Sequence, residues 1–189
     1  MSSKTTYHHG DLPTALVRAA VELLEEGGAG ALSLRAAARR AGVSTAAPYR
    51  HFPDRSALLS AVAAVGYREL AAALMAASPD PATPDDLADI AIAYVRFALD
   101  KPGLFRAMFT EQCDKDNPDR VAAVAAIHDY LQGIVKKAVP TSDPDSMATA
   151  LWSMVHGLAF LHLDGKLDTS SDQEVADRIR AVTAAALAR

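Results

Sequence analysis

Apolar residues along this chain recur every three or four positions, the spacing of one helix face, and nowhere in the strict alternation of a half-buried strand. Leu12, Leu16, Ala19, Ala20, Leu23 and Leu24 make a first stripe, with Asp11 placed to cap the helix and Gly27, Gly28 and Gly30 placed to end it. Ser33 opens a second, short helix through Arg40 and Ala41, stopped by Gly42. Ser44 opens a third that ends near His51, before Phe52-Pro53. Asp54 then caps a long helix to about Ser78, with Leu58, Leu59, Val62, Val65, Leu70 and Leu74 inward. At 1.5 Å per residue, its roughly 25 residues make a rod about 37 Å long.

Pro79, Pro81 and Pro84 form the clearest linker. A helix starting at Thr83 or Asp85 carries Leu87, Ile90, Ala91, Tyr94, Phe97 and Ala98 on one side and Ile92, Val95 and Leu99 on the other, so burial nearly all round is expected. Lys101-Pro102-Gly103 breaks it. A short aromatic piece over 104–109, a polar loop over 113–119 and a helix from Pro118 to about Val139 follow. After a break at 140–144 come a strongly apolar helix over 145–163 and a closing one over 171–189. The pattern predicts an all-α chain of about nine helices.

Composition supports this: 40 of the 189 residues are alanine, the best helix former, and aromatic residues make up only 6%. A single cysteine, Cys113, excludes an intrachain disulfide and a Cys-cluster zinc site. No uninterrupted run of about 18 apolar residues occurs and the first ten residues are polar, so no membrane span or signal peptide is expected and a cytoplasmic location is the default. The net charge of −4 hides an asymmetry: residues 1–53 carry six Lys/Arg against four Asp/Glu, and residues 54–189 carry 13 against 19. A basic head on an acidic body directs the search for a polyanion site to the N-terminus. Enzymatic signals are missing. There is no phosphate-cradling glycine loop, His-x-x-x-His pair or Gly-x-Ser-x-Gly elbow, and the acids at 114 and 116 disfavour a thiolate at Cys113. Adjacent His8 and His9 do not share a helical face. No catalytic residue, metal or cofactor is expected.

The most informative stretch is residues 33–53, SLRAAARRAGVSTAAPYRHFP: two short helices joined by Ala41-Gly42-Val43, the anatomy of a helix-turn-helix whose second helix enters the DNA major groove. Small residues open that second helix (Ser44, Thr45, Ala46, Ala47). They allow close approach to base edges, with Thr45 able to hydrogen-bond and the alanine methyls able to meet a thymine methyl. Tyr49, Arg50 and His51 can reach phosphate oxygens, as can Arg35 and Arg39 one turn apart on the preceding helix. Arg40 reads as a solvated charge. Arg55, beside the free N–H groups opening the long helix, offers another phosphate seat.

Tyr7-His8-His9-Gly10-Asp11-Leu12, Leu32-Ser33-Leu34-Arg35, Ala41-Gly42-Val43-Ser44 and Tyr49-Arg50-His51-Phe52-Pro53-Asp54-Arg55 together resemble the DNA-binding head of the tetracycline-repressor (TetR) family. Trp152-Ser153-Met154-Val155-His156-Gly157 resembles the C-terminal element of one of its subgroups. The resemblance implies a three-helix DNA-binding head over residues 1–55 and a helical bundle over 56–189 that dimerises and holds a ligand. It further implies a homodimeric repressor released from double-stranded operator DNA by a small-molecule effector. Two departures stand out. Pro48 lies four residues after Ser44, where it removes the first intrahelical bond and crowds the Ser44 carbonyl, so the recognition helix is expected to begin late or turn more tightly. The N-terminal arm is poor in basic residues.

For the effector, an apolar or amphipathic molecule, the densest aromatic and sulfur supply lies in Phe97, Phe105, Met108, Phe109, Tyr130, Trp152, His156 and Phe160. The same stripe reads equally as packed core. For dimerisation, Leu151, Val155, Leu158 and His162, with Val175, Ile179 and Val182, are the stripes expected to pair the last two helices across a two-fold axis. The competing reading is a helical small-molecule or partner-binding module whose head does not touch DNA.

Overall fold

The computed structural model of the protein describes residues 12–188, so the Asp11 cap and the Lys4 and His8-His9 arm lie outside the described residues. Eight α-helices and no strand occur among them: α1 (Leu12–Ala31), α2 (Leu34–Arg40), α3 (Arg55–Ala77), α4 (Pro84–Asp100), α5 (Pro102–Phe109), α6 (Pro118–Ala138), α7 (Pro144–Leu163) and α8 (Asp172–Leu187). The third of the nine expected helices is instead a four-residue 3-10 segment, Ala47–Arg50. α1 also runs past its expected stop, but only across a break at Gly28 (φ 63°, ψ −165°), where the glycines do interrupt the helical path.

Side-chain caps set most helix starts, as the sequence pattern implied. The Ser33 hydroxyl accepts from the Ala36 N–H (3.1 Å) and the Asp54 carboxylate from the Ala57 N–H (2.8 Å). Thr83 and Asp86 form a reciprocal capping box on α4, and these bonds hold the Asp86 carboxyl down at about 2. Asn117, Asp143 and Ser171 cap α6, α7 and α8, with Pro at the first helical position of the first two.

One contiguous core results. α3 packs against α1, α4, α5 and α6, and α4 packs against α3, α7 and α8. Leu58, Leu59, Val62, Leu70 and Leu74 of α3 are fully buried, and α4 is buried on most of its circumference. By length and composition, α3 is the one described helix able to cross a membrane, yet over half of its apolar window is buried inside the fold.

The stripes expected to form the dimer face belong largely to this core. Val155, Leu158, His162, Val175 and Ile179 are all buried within the single chain, where α7 and α8 both pack against α4. The exposed side of α7 is different: Ala150, Ser153, Gly157 and Leu161 share one face, and a Cβ added at Gly157 would meet open space.

Candidate nucleic-acid interface and effector cavity

α2 ends in a glycine-dependent lock. Gly42 adopts φ 70°, and the N–H groups of Gly42 and Val43 donate back to the carbonyls of Arg39 (3.1 Å) and Ala38 (3.0 Å), the paired bonds of a Schellman motif. The chain then turns through Ser44, whose carbonyl accepts from the Ala47 N–H (3.0 Å). Pro48 has no N–H to return to Ser44, so the backbone tightens into the 3-10 segment rather than the α-helix expected from Ser44 onward. The Ser44 side chain is not a cap; Ala46 precedes the segment with no side-chain bond. Both the His51 and Phe52 N–H groups donate to the Pro48 carbonyl (2.9 Å each), and the buried Phe52 ring anchors the segment to the core.

This arrangement presents Ser44, Thr45, Ala46, Tyr49, Arg50 and His51 to solvent, with Ala47 half-buried. Tyr49 is 50% exposed. On α2, Arg35 and Arg39 are exposed as well. The Arg35, Arg39, Arg50 and His51 side chains form no hydrogen bond or ion pair with any described residue. The other two arginines of this region are occupied. Arg40 is no free solvated charge: it reaches back to α1, bridging Glu22 (3.3 Å) and Glu26 (2.8 Å). Arg55, expected at a phosphate, donates instead to the Leu32 and Ala29 carbonyls (3.2 and 2.9 Å) and to Glu111 (3.1 Å). Its position one residue into α3 points it under the head, which ties the head to the segment after α5.

A second tie lies alongside. The Glu25 carboxylate accepts from the Gly103 and Leu104 N–H groups (3.1 and 2.8 Å) at the start of α5, where donors are otherwise unsatisfied. Gly103 permits the approach: a Cβ there would lie 2.2 Å from the Leu24 carbonyl oxygen.

In the body, the aromatic stripe forms a packed cluster. Ring centroids of Phe105–Phe109, Phe109–His156 and His156–Phe160 lie 4.8, 4.6 and 4.9 Å apart. The Trp152 indole N–H donates to the Tyr94 oxygen (3.3 Å), and the same hydroxyl shares a hydrogen bond with His156 Nδ1 (2.9 Å). Burial lowers the His156 pKa and raises that of Tyr94.

The open space lies next to this cluster, where α3, α4, α6, α7 and α8 meet. A cavity of about 50 Å³ is walled by Leu87, Ile90, Leu131, Val135 and Leu151 among others, with Leu74 of α3 on its border. Of the eight residues expected around an effector, Trp152 alone borders it. Phe97, Phe105, Met108, Phe109, Tyr130, His156 and Phe160 do not, because their rings and sulfur fill space against one another and the helices; Met108, for instance, fills the groove over Gly66. A polar cleft of about 70 Å³, walled by His128, Gln132, Asp145 and Thr149, adjoins on the outer side and shares Leu131, Ala148 and Trp152 with the cavity. The sequence offered one hint of the inner site: Thr183, a hydroxyl in an otherwise apolar inward position of the last helix.

Two family models match the chain: one described as bacterial regulatory proteins, tetR family, over residues 16–62, and one described as a tetracyclin repressor-like C-terminal domain, over residues 87–186. No curated protein matches. Among solved structures, a protein of unknown function from Rhodococcus sp. RHA1 is 35% identical, with 98% of this chain and 100% of that one covered and a TM-score of 0.82. A bacterial regulatory protein in the tetR family from Rhodococcus RHA1 is 21% identical over 93% and 96% of the two chains, TM-score 0.71. The TetR family transcriptional regulator PfmR from Thermus thermophilus is 20% identical over 91% and 93%, TM-score 0.63. The last two speak to the fold alone.

Proposed function

We propose, for a chain that belongs to the TetR family of bacterial transcriptional regulators, a homodimer that binds operator DNA in the cytoplasm through its α2–3-10 heads and is released by a small molecule bound in its body. One contrast carries the DNA reading. Arg35, Arg39, Arg50 and His51 stand exposed and unengaged around a rigidly locked turn, while the neighbouring Arg40 and Arg55 are paired internally. In this reading Arg35, Tyr49, Arg50 and His51 take phosphates, and Ser44, Thr45, Ala46 and Ala47 face base edges. Arg55 acts from behind by holding the head. Polarisation titration against the duplex upstream of its own gene should show specific binding by two chains that weakens steeply with salt. A flat titration overturns the proposal and favours the alternative, a body that binds a small molecule or partner without DNA, which the shortened 3-10 segment motivates.

The division at 55/56 places the head at one end of α3 and the cavity border at Leu74 near its other end, about 30 Å away at 1.5 Å per residue. A ligand favouring one setting of α3 changes the separation of two heads that must sit roughly 34–36 Å apart on DNA. Operator and effector then weaken each other by the same factor. Titrating effector into the protein–DNA complex should lower DNA affinity reciprocally. The exposed face of Ala150, Ser153, Gly157 and Leu161, together with α8, is where a second copy fits.

A further inference from the structure

The inner cavity and the outer cleft differ in chemistry yet share a wall. Inside, the lining is apolar, and Thr183 on its border is the one residue there with an aliphatic hydroxyl. That hydroxyl is 2% exposed and has no hydrogen-bond partner, which an otherwise apolar site leaves costly. Outside, the lining carries one acidic side chain, Asp145, which forms no ion pair among the described residues, flanked by His128, Gln132 and Thr149. The wall is Trp152, with Leu131 and Ala148. Its indole is held on one side by the hydrogen bond to Tyr94 and on the other by the His128 ring, with centroids 5.1 Å apart.

From these observations we infer that the two spaces form one bipartite site for a small amphipathic amine: a cationic head beside Asp145, an apolar body passing Trp152, and a hydrogen-bonding atom at the inner end meeting Thr183. The inference rests on the effector reading above and narrows it to a chemical class. Size follows from volume. The cavity and the cleft, about 50 and 70 Å³, suit a small ligand. A carboxylate head is disfavoured by Asp145, and a large polycyclic body exceeds the space.

Trp152 is the sole tryptophan of the chain, so its emission reports occupancy directly and without DNA. The probes are tyramine, phenethylamine and 3-phenylpropionate, similar in size and differing in one feature each. Both amines should shift Trp152 emission saturably, with phenylpropionate at least about tenfold weaker and tyramine about fivefold tighter than phenethylamine through its phenol. Asp145→Asn should remove most of the amine-over-acid preference, and Thr183→Val most of the tyramine advantage. Ala91→Leu, which fills the cavity, should abolish all three responses while circular dichroism reports an intact fold. Equal response to the acid and the amines in the wild-type protein overturns the inference, and that comparison needs no variant. Amine binding that leaves operator affinity unchanged would instead sink the effector reading while sparing the site. Release by an acid alone would do the reverse.

Discussion

Individual side chains here divide sharply between those that face outward and those that fasten the protein together. Arg50 is among the first. Arg50→Ala should weaken specific and non-specific duplex binding alike and reduce the salt slope by about one, checked by polarisation at several salt concentrations; an unchanged slope removes Arg50 from the phosphate set. Gly103 is among the second. With a Cβ 2.2 Å from the Leu24 carbonyl oxygen, Gly103→Ala forces α5 off α1 and should cost about 1–3 kcal/mol in urea unfolding. One half-buried and one buried histidine, His156 and His162, make stability pH-dependent. Burial lowers the pKa of both His156 and His162, for the latter with a smaller contribution from the Arg178 charge, so each lies below the ordinary 6.5 when folded. The unfolded chain therefore binds protons first as pH falls. Stability is full above about 6.5 and is lost as pH drops toward the lowered folded values. The melting temperature should fall across that window, and less so in His162→Leu.

The helices themselves were legible where a single residue type decides their ends. Ser33, Asp54 and Thr83 cap as their chemistry dictates, Gly42 ends α2, and the proline breaks fall between elements. Pro48 was legible too: its missing N–H and its crowding of Ser44 pointed to a late start or a tighter turn, and the 3-10 segment is that tighter turn. Periodicity showed that the last two helices have apolar faces. It could not show which body those faces meet, and Val155, Leu158, Val175 and Ile179 turned out to meet their own chain. The candidate effector cavity was least legible, since a void is defined by where aliphatic side chains stop short, and the aromatic residues fill their own space. Between elements, the Arg55 tie is testable. Arg55→Met should lower stability by about 1–3 kcal/mol through three lost charge-assisted bonds, measured by chemical denaturation, and should weaken operator binding without altering its salt slope.

At the scale of the whole molecule, the proposed function requires two copies. Leu161 is 44% exposed beside Gly157 on a face otherwise made of small residues. Leu161→Glu should shift sedimentation toward a single chain, leave the fold intact by circular dichroism, and reduce operator affinity to the weak level of one head; a dimer of unchanged strength would place the interface elsewhere.

The seam between Leu24-Glu25 and Gly103-Leu104 bears on protein engineering. A head grafted from a relative onto this body, cut at residue 55, would carry a foreign partner into a socket shaped for this one. Such hybrids should regain cooperative melting only when both halves of the seam are transplanted together, so the functional module to exchange is discontinuous in the chain.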